Sequence, residues 1–211
     1  MRDAVKRMTD MRPVVLVDNG HGEETAGKRS PDGRLLEWRY TREIAREVVR
    51  GLALHGVDGR LLVPETRDVP LSERVTRANG VWRGRDGRQV ALISIHVNAA
   101  GDGATWMGAR GWSAYTSRGT TPADSLASCL YDAAMEWLPA HRMRTDCSDG
   151  DADMEAGFYI LRKSACPAVL TENLFMDNRD DMAFLLSDEG RRAVVGLHVD
   201  GIVNYLKFLK L

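Results

Sequence analysis

The sequence predicts an α/β domain with a largely parallel sheet, and three observations carry that expectation. Short apolar, mostly β-branched runs at 14–17, 92–97 and 168–171 each read as a buried strand. Runs with an apolar residue every three or four positions, at 40–52 and 195–209, read as amphipathic helices. Strand and helix patterns then alternate along the chain, as they do where parallel strands are joined by helical crossovers. A chain of 211 residues could form one large domain or two small ones. No linker, repeat or low-complexity segment divides this one.

Val14-Val15-Leu16-Val17 is the first strand, and Asp18-Asn19-Gly20 a tight turn that delivers His21 at the strand's C-terminal edge. A polar loop over 23–34 precedes a helix that opens at Glu37. Tyr40, Ile44, Val48 and Leu52 form its inward face, and Gly56 fits its stop. Residues 57–63 read as a second strand. Leu71, Val75, Ala78 and Trp82 mark a short helix after Pro70, and 84–87 a turn. The run Leu92-Ile93-Ser94-Ile95-His96-Val97-Asn98 is the next strand, followed by a glycine-rich loop over 99–111 and a strand over 111–116. Pro122 opens a helix that Pro139 closes. Residues 140–156 are polar and acidic, 158–161 read as a short strand, and 168–171 as the strand that ends in Glu172. One or two helical turns over 179–186 lead to a C-terminal helix marked by Val195, Val199, Ile202, Leu206 and Leu209. Residues 1–13 form a lead-in.

Composition narrows the function. Net charge is −1, with no basic block, so a nucleic-acid partner is not expected. No apolar run reaches a membrane span, and residues 1–10 lack the apolar core of a secretory signal. The three cysteines form no Cys-x-x-Cys pair, which argues against a disulfide framework and a thiolate zinc site. Cys166 reads as a small buried hydrophobe, His55 as a surface residue, His141 as a loop residue and His198 as structural. Asp149-Gly150-Asp151-Ala152-Asp153 resembles the start of a calcium loop, but Met154 stands where glycine is needed and Ile160 where glutamate is needed. The segment therefore reads as a solvated acidic loop.

The chemistry lies at the strand ends. In open α/β sheets ligands bind beyond the C-terminal ends of the strands. There the chain offers His21, His96 and Glu172, with Glu37 at a helix start. Two histidines and one carboxylate with a free fourth position is a common zinc-hydrolase ligand set. The third ligand could be Glu37 or Glu172. A helix N-terminus favours an ionised carboxylate, which suits Glu37 as a ligand. Desolvation at the end of a buried strand raises a carboxyl pKa toward neutrality, which suits Glu172 as a general base.

These segments resemble the zinc-dependent N-acetylmuramoyl-L-alanine amidases of the amidase-3 type, over about Val14 to Tyr205. The resemblance rests on the order of Asp18-x-Gly20-His21-Gly22, Glu37, Thr66-Arg67, Leu71-x-x-Arg74-x-x-x-Ala78-Asn79, Ser94-Ile95-His96-x-Asn98, Gly111 and Ala168-Val169-Leu170-Thr171-Glu172-x-x-Phe175-x-x-Asn178. It implies one catalytic domain over 14–211, a twisted, mostly parallel sheet of about six strands flanked by helices on both faces, and hydrolysis of the amide between N-acetylmuramic acid and L-alanine in peptidoglycan. It further implies a Zn2+ ion held by His21, Glu37 and His96, and Glu172 as the acid/base. Glu23 stands where the family has a second glycine. The segment over 101–111 is short for the regulatory helix of some members, so an open cleft is expected. A monomer acting on the cell wall, in the manner of a phage endolysin and with its export route left open, is the expectation. A zinc hydrolase acting on another amide and a non-catalytic wall-binding relative are the alternatives.

Overall fold

The computed structural model describes residues 12–85 and 89–211. The lead-in expected over 1–13 lies outside them except for its last two residues, and the turn at 84–87 lies partly outside. The described residues form six strands and six helices, alternating except where the third strand leads into the fourth and the last two helices follow one another. They are β1 (Val14–Asn19), α1 (Glu37–Leu54), β2 (Asp58–Leu61), α2 (Leu71–Arg83), β3 (Val90–Asn98) and β4 (Ser113–Thr116). The chain continues through α3 (Asp124–Trp137), β5 (Met154–Glu155), α4 (Tyr159–Lys163), β6 (Ala168–Phe175), α5 (Arg179–Leu186) and α6 (Asp188–Phe208).

The strands form one sheet in the order β2-β1-β3-β6-β4-β5. Pairing is parallel except between β4 and β6. The expected mostly parallel α/β sheet is thus present, with one antiparallel pair that makes it mixed. The central trio β1, β3 and β6 is buried on both faces, which explains why its sequences are nearly unbroken apolar runs. Val15, Val17, Ile93, Ile95 and Val169 pack with α1, α3 and α6 in the larger core. Val14, Leu16, Leu92 and Leu170 pack with α2 and α4 in the smaller one.

The strand expected at 158–161 is corrected to the helix α4. Phe158 and Tyr159 are exposed while Ile160 and Leu161 are both buried, so burial does not alternate as a half-buried strand requires. Arg162 and Lys163 in its last turn suit a helix C-terminus. The sixth strand is instead β5, inside the stretch read as polar loop, where Tyr115 pairs with Met154. That stretch is also not wholly solvated, because Asp153 is 3% exposed. Cys166 is buried as expected. His198 is fully buried in α6, where its Nδ1 lies 2.6 Å from the Val194 carbonyl and its Nε2 2.9 Å from Thr171 Oγ1. That is the structural role expected of it.

Candidate active site

Parallel pairing brings the C-terminal ends of β1, β3 and β6 side by side. Asp18 is level with Ser94, and His96 with Glu172. A register shift follows between His96 and Asn98, with Leu174 in the left-handed region at φ 62°. Such a bulge ends regular pairing just past the two functional positions.

His21 lies two residues beyond β1 and is itself left-handed, at φ 59°. That conformation costs about 1–3 kcal/mol for a non-glycine residue and persists only where its surroundings impose it. Two guanidinium groups impose it here. Arg74 donates to the carbonyls of Asn19 at 2.5 Å and His21 at 3.3 Å, and to Asp18 Oδ1 at 2.9 Å. Arg42 donates to the carbonyls of Gly20 at 3.4 Å and His21 at 2.9 Å. Asp18 is in turn fixed by the Ser94 hydroxyl, which donates to its Oδ2 at 2.6 Å.

Glu37 is the first residue of α1, as expected, and is buried. His96 Nδ1 lies 3.1 Å from its Oε1 and His21 Nε2 lies 3.4 Å from its Oε2. The Val97 amide also donates to Oε1, at 3.1 Å. Oε2 is buried with no hydrogen-bond partner. The imidazoles meet edge to face, with centroids 5.2 Å apart. One donor atom from each of His21, Glu37 and His96 lies within 4.8 Å of the other two. Gly20 makes the cradle possible, since a Cβ there would stand 2.6 Å from His96 Nδ1 and 3.1 Å from Glu37 Oε1. Two imidazole nitrogens, an orphaned carboxylate oxygen and room between them fit a borderline divalent cation.

The two carboxylates sit in different electrostatic environments. Burial alone would raise Glu37, but the hydrogen bond and charge of His96, with His21 and the Val97 amide, hold it below its usual value. Glu172 is pushed up to about 7, first by burial and then by the Glu37 charge, against the opposing pull of His96 and Lys28. Its Oε2 is buried and unpartnered. Burial takes His21 down to about 4, while for His96 the Glu37 carboxylate outweighs burial and raises it. Titratable groups driven apart in this way mark acid/base sites.

His21, His96 and Glu172 line a cleft of about 360 Å³, together with Lys28, Phe158 and Tyr159. All four residues singled out in the sequence therefore converge. No residue of the 99–111 loop lines the cleft. Sequence reading missed Lys28, Phe158 and Tyr159 as cleft residues and assigned no role to Arg42 or Arg74. Arg74 stood within a quoted motif, and its place one helical turn after Leu71, on a face that buries Val75 and Ala78, was the available signal.

Fold and site together define an α/β hydrolase domain with a cation-competent centre at the sheet edge. The model of the amidase-3 family, N-acetylmuramoyl-L-alanine amidase, matches residues 15–204, and the chain belongs to that family. It is 26% identical over 205 residues to the endolysin of Bacillus phage SPP1, covering 95% of this chain and 68% of the phage protein. It is 28% identical over 199 residues to the N-acetylmuramoyl-L-alanine amidase CwlM of Bacillus licheniformis, covering 93% and 70%. Among solved structures, the amidase AmiC2 of Nostoc punctiforme superposes with a TM-score of 0.76 at 27% identity, over 92% of this chain and 97% of that one. An amidase from Clostridium difficile 630 shares the fold with a TM-score of 0.76 at 24% identity, over 93% and 97%. The chain is thus a hydrolase of the peptidoglycan amide class.

Proposed function

We propose that residues 14–211 form a single zinc-dependent catalytic domain that cleaves the amide between N-acetylmuramic acid and L-alanine in peptidoglycan. The observation that carries this reading is the convergence of His21, Glu37 and His96, with donor atoms within 4.8 Å of one another, beside the unpartnered carboxylate of Glu172. His21, Glu37 and His96 hold the ion. Bound there, zinc supplies a Lewis acid that polarises the scissile carbonyl and brings the pKa of water from about 16 to about 7.

The chain's own groups do the rest. Glu172, near neutrality, takes a proton from the attacking water and passes it to the departing alanine nitrogen. Glu37, kept ionised by the imidazoles, stays a ligand. Arg42 and Arg74 fix the backbone that aims His21. Lys28, at the cleft wall, offers a cation to an anionic part of the substrate, and Phe158 and Tyr159 offer apolar faces. No helix among the described residues is long and apolar enough to cross a membrane. The domain acts on the cell wall as a monomer.

Purified walls treated with the protein should lose turbidity and gain free L-alanine amino ends, without new reducing sugar ends. Release of acetate with new free amines on the sugars, or of another amine end, would assign the chemistry to another amide. Wall binding without any new amino end would leave only a binding module.

A further inference from the structure

A second cluster of carboxylates lies outside the cleft, in the segment whose sequence resembled part of a calcium loop. Asp153 directly precedes β5 and is 3% exposed. The Thr116 hydroxyl donates to its Oδ2 at 2.6 Å. Its Oδ1 is sealed from solvent with no partner, and so is Oδ1 of the half-buried Asp151. The third member comes from far along the chain. Asp124 opens α3, where the Thr121 amide and hydroxyl donate to its two oxygens, each at 2.7 Å. Those bonds leave lone pairs free on both oxygens. One oxygen from each of the three carboxylates lies within 4.8 Å of the other two.

Three carboxylates this close repel unless a proton or a cation sits among them. We propose that Asp124, Asp151 and Asp153 form a second cation site, for calcium, which staples the loop over 146–155 to the start of α3. All-oxygen donors favour a hard ion over zinc or copper. Calcium accepts six to eight oxygens in irregular geometry, whereas magnesium demands a near-ideal octahedron and holds its water. The dry, unpartnered oxygens of Asp151 and Asp153 disfavour an ion that keeps its water, so calcium suits the cluster better than magnesium.

The site braces the cleft indirectly. β5 follows Asp153 and pairs with β4, and three residues beyond it come Phe158 and Tyr159. The Phe158 ring packs on Tyr115, with centroids 5.4 Å apart. A cation at Asp153 therefore fixes the strand whose continuation forms one cleft wall. None of the three aspartates lines that cleft. The alternative occupant is a proton, because burial, opposed by Thr116 and reinforced by Asp151, pushes the Asp153 carboxyl up to about 7.

The test uses the whole chain in buffers cleared of free divalent ions, titrated with calcium chloride or magnesium chloride at fixed ionic strength. Calorimetry should find one calcium per chain with a Kd of roughly 10⁻⁴–10⁻³ M. At ten times that Kd, Tm should rise by roughly 3–6 °C, with less than half that rise from magnesium. D153N and D151N should each abolish the calcium-dependent rise while zinc content stays at the wild-type value. D151N, at a half-exposed position, keeps the test valid if D153N does not fold. Absence of saturable calcium binding up to tenfold above that range overturns the site, as does a Tm rise retained in D151N or one that magnesium matches.

Discussion

At the scale of the residue, the chemistry turns on two glutamates of one type in two environments. Glu37 is ringed by His21, His96 and the Val97 amide, all of which favour its ionised form. Glu172 is desolvated and repelled by Glu37, which favours its neutral form. A general base works when ionised, so a raised pKa places the acid limb of the pH profile near neutrality. Turnover should rise with pH and reach half its plateau at or below about 7, since a bound cation can only lower Glu172 further. A profile measured with constant zinc occupancy checks this, and a half-point clearly above pH 7, or a turnover that does not rise with pH, would remove Glu172 from the role. Both glutamates were legible in the sequence because each ends or opens a strongly patterned element. Asp153 was not, because its burial depends on β5 pairing with β4, and a two-residue strand leaves no periodic trace.

At the scale of the element, the turn after β1 is the demanding piece. It holds His21 left-handed, and the hydrogen bonds that hold it come from α1 and α2 rather than from the turn itself. Local reading finds the turn and the histidine but not the clamp, which joins residues more than 20 positions apart. Arg74 and Asp18 are 3% and 1% exposed, so removing the cation leaves a buried carboxylate uncompensated. Arg74→Met should cost about 3–5 kcal/mol, a Tm loss of roughly 6–20 °C. Arg74→Lys keeps the charge without the planar fork, so it should fold yet lose zinc more readily than wild type in a chelator titration. Wild-type zinc affinity in Arg74→Lys would show that the clamp does not aim His21. The misread segment 158–161 belongs to this scale too. A four-residue apolar run fits strand or helix, and only the packing of Ile160 and Leu161 onto the smaller core decides it.

At the scale of the whole molecule, parallel topology does the gathering. β1, β3 and β6 are neighbours in space although more than 70 residues separate some of their residues, and all three point the same way. Alternating strand and helix patterns made that topology legible, while the antiparallel insertion of β4 left no signal in its own sequence. The larger core lies mainly on the sheet face away from the cleft, where Gly201 of α6 lets the helix close on Leu130 of α3. Leu130→Ala should therefore cost about 2–5 kcal/mol in thermal unfolding, with zinc stoichiometry and turnover at 25 °C unchanged. Loss of the metal in that variant would mean that core and site are not separable. The central claim is the division of labour between the two glutamates that this topology imposes. Its most direct test is paired zinc content and wall hydrolysis for Glu172→Gln and Glu37→Gln. Glu172→Gln should keep zinc near the wild-type level while turnover falls roughly 100-fold or more, and Glu37→Gln should lose zinc and activity together. Loss of zinc from Glu172→Gln, with zinc retained by Glu37→Gln, would contradict the account by reversing the two roles.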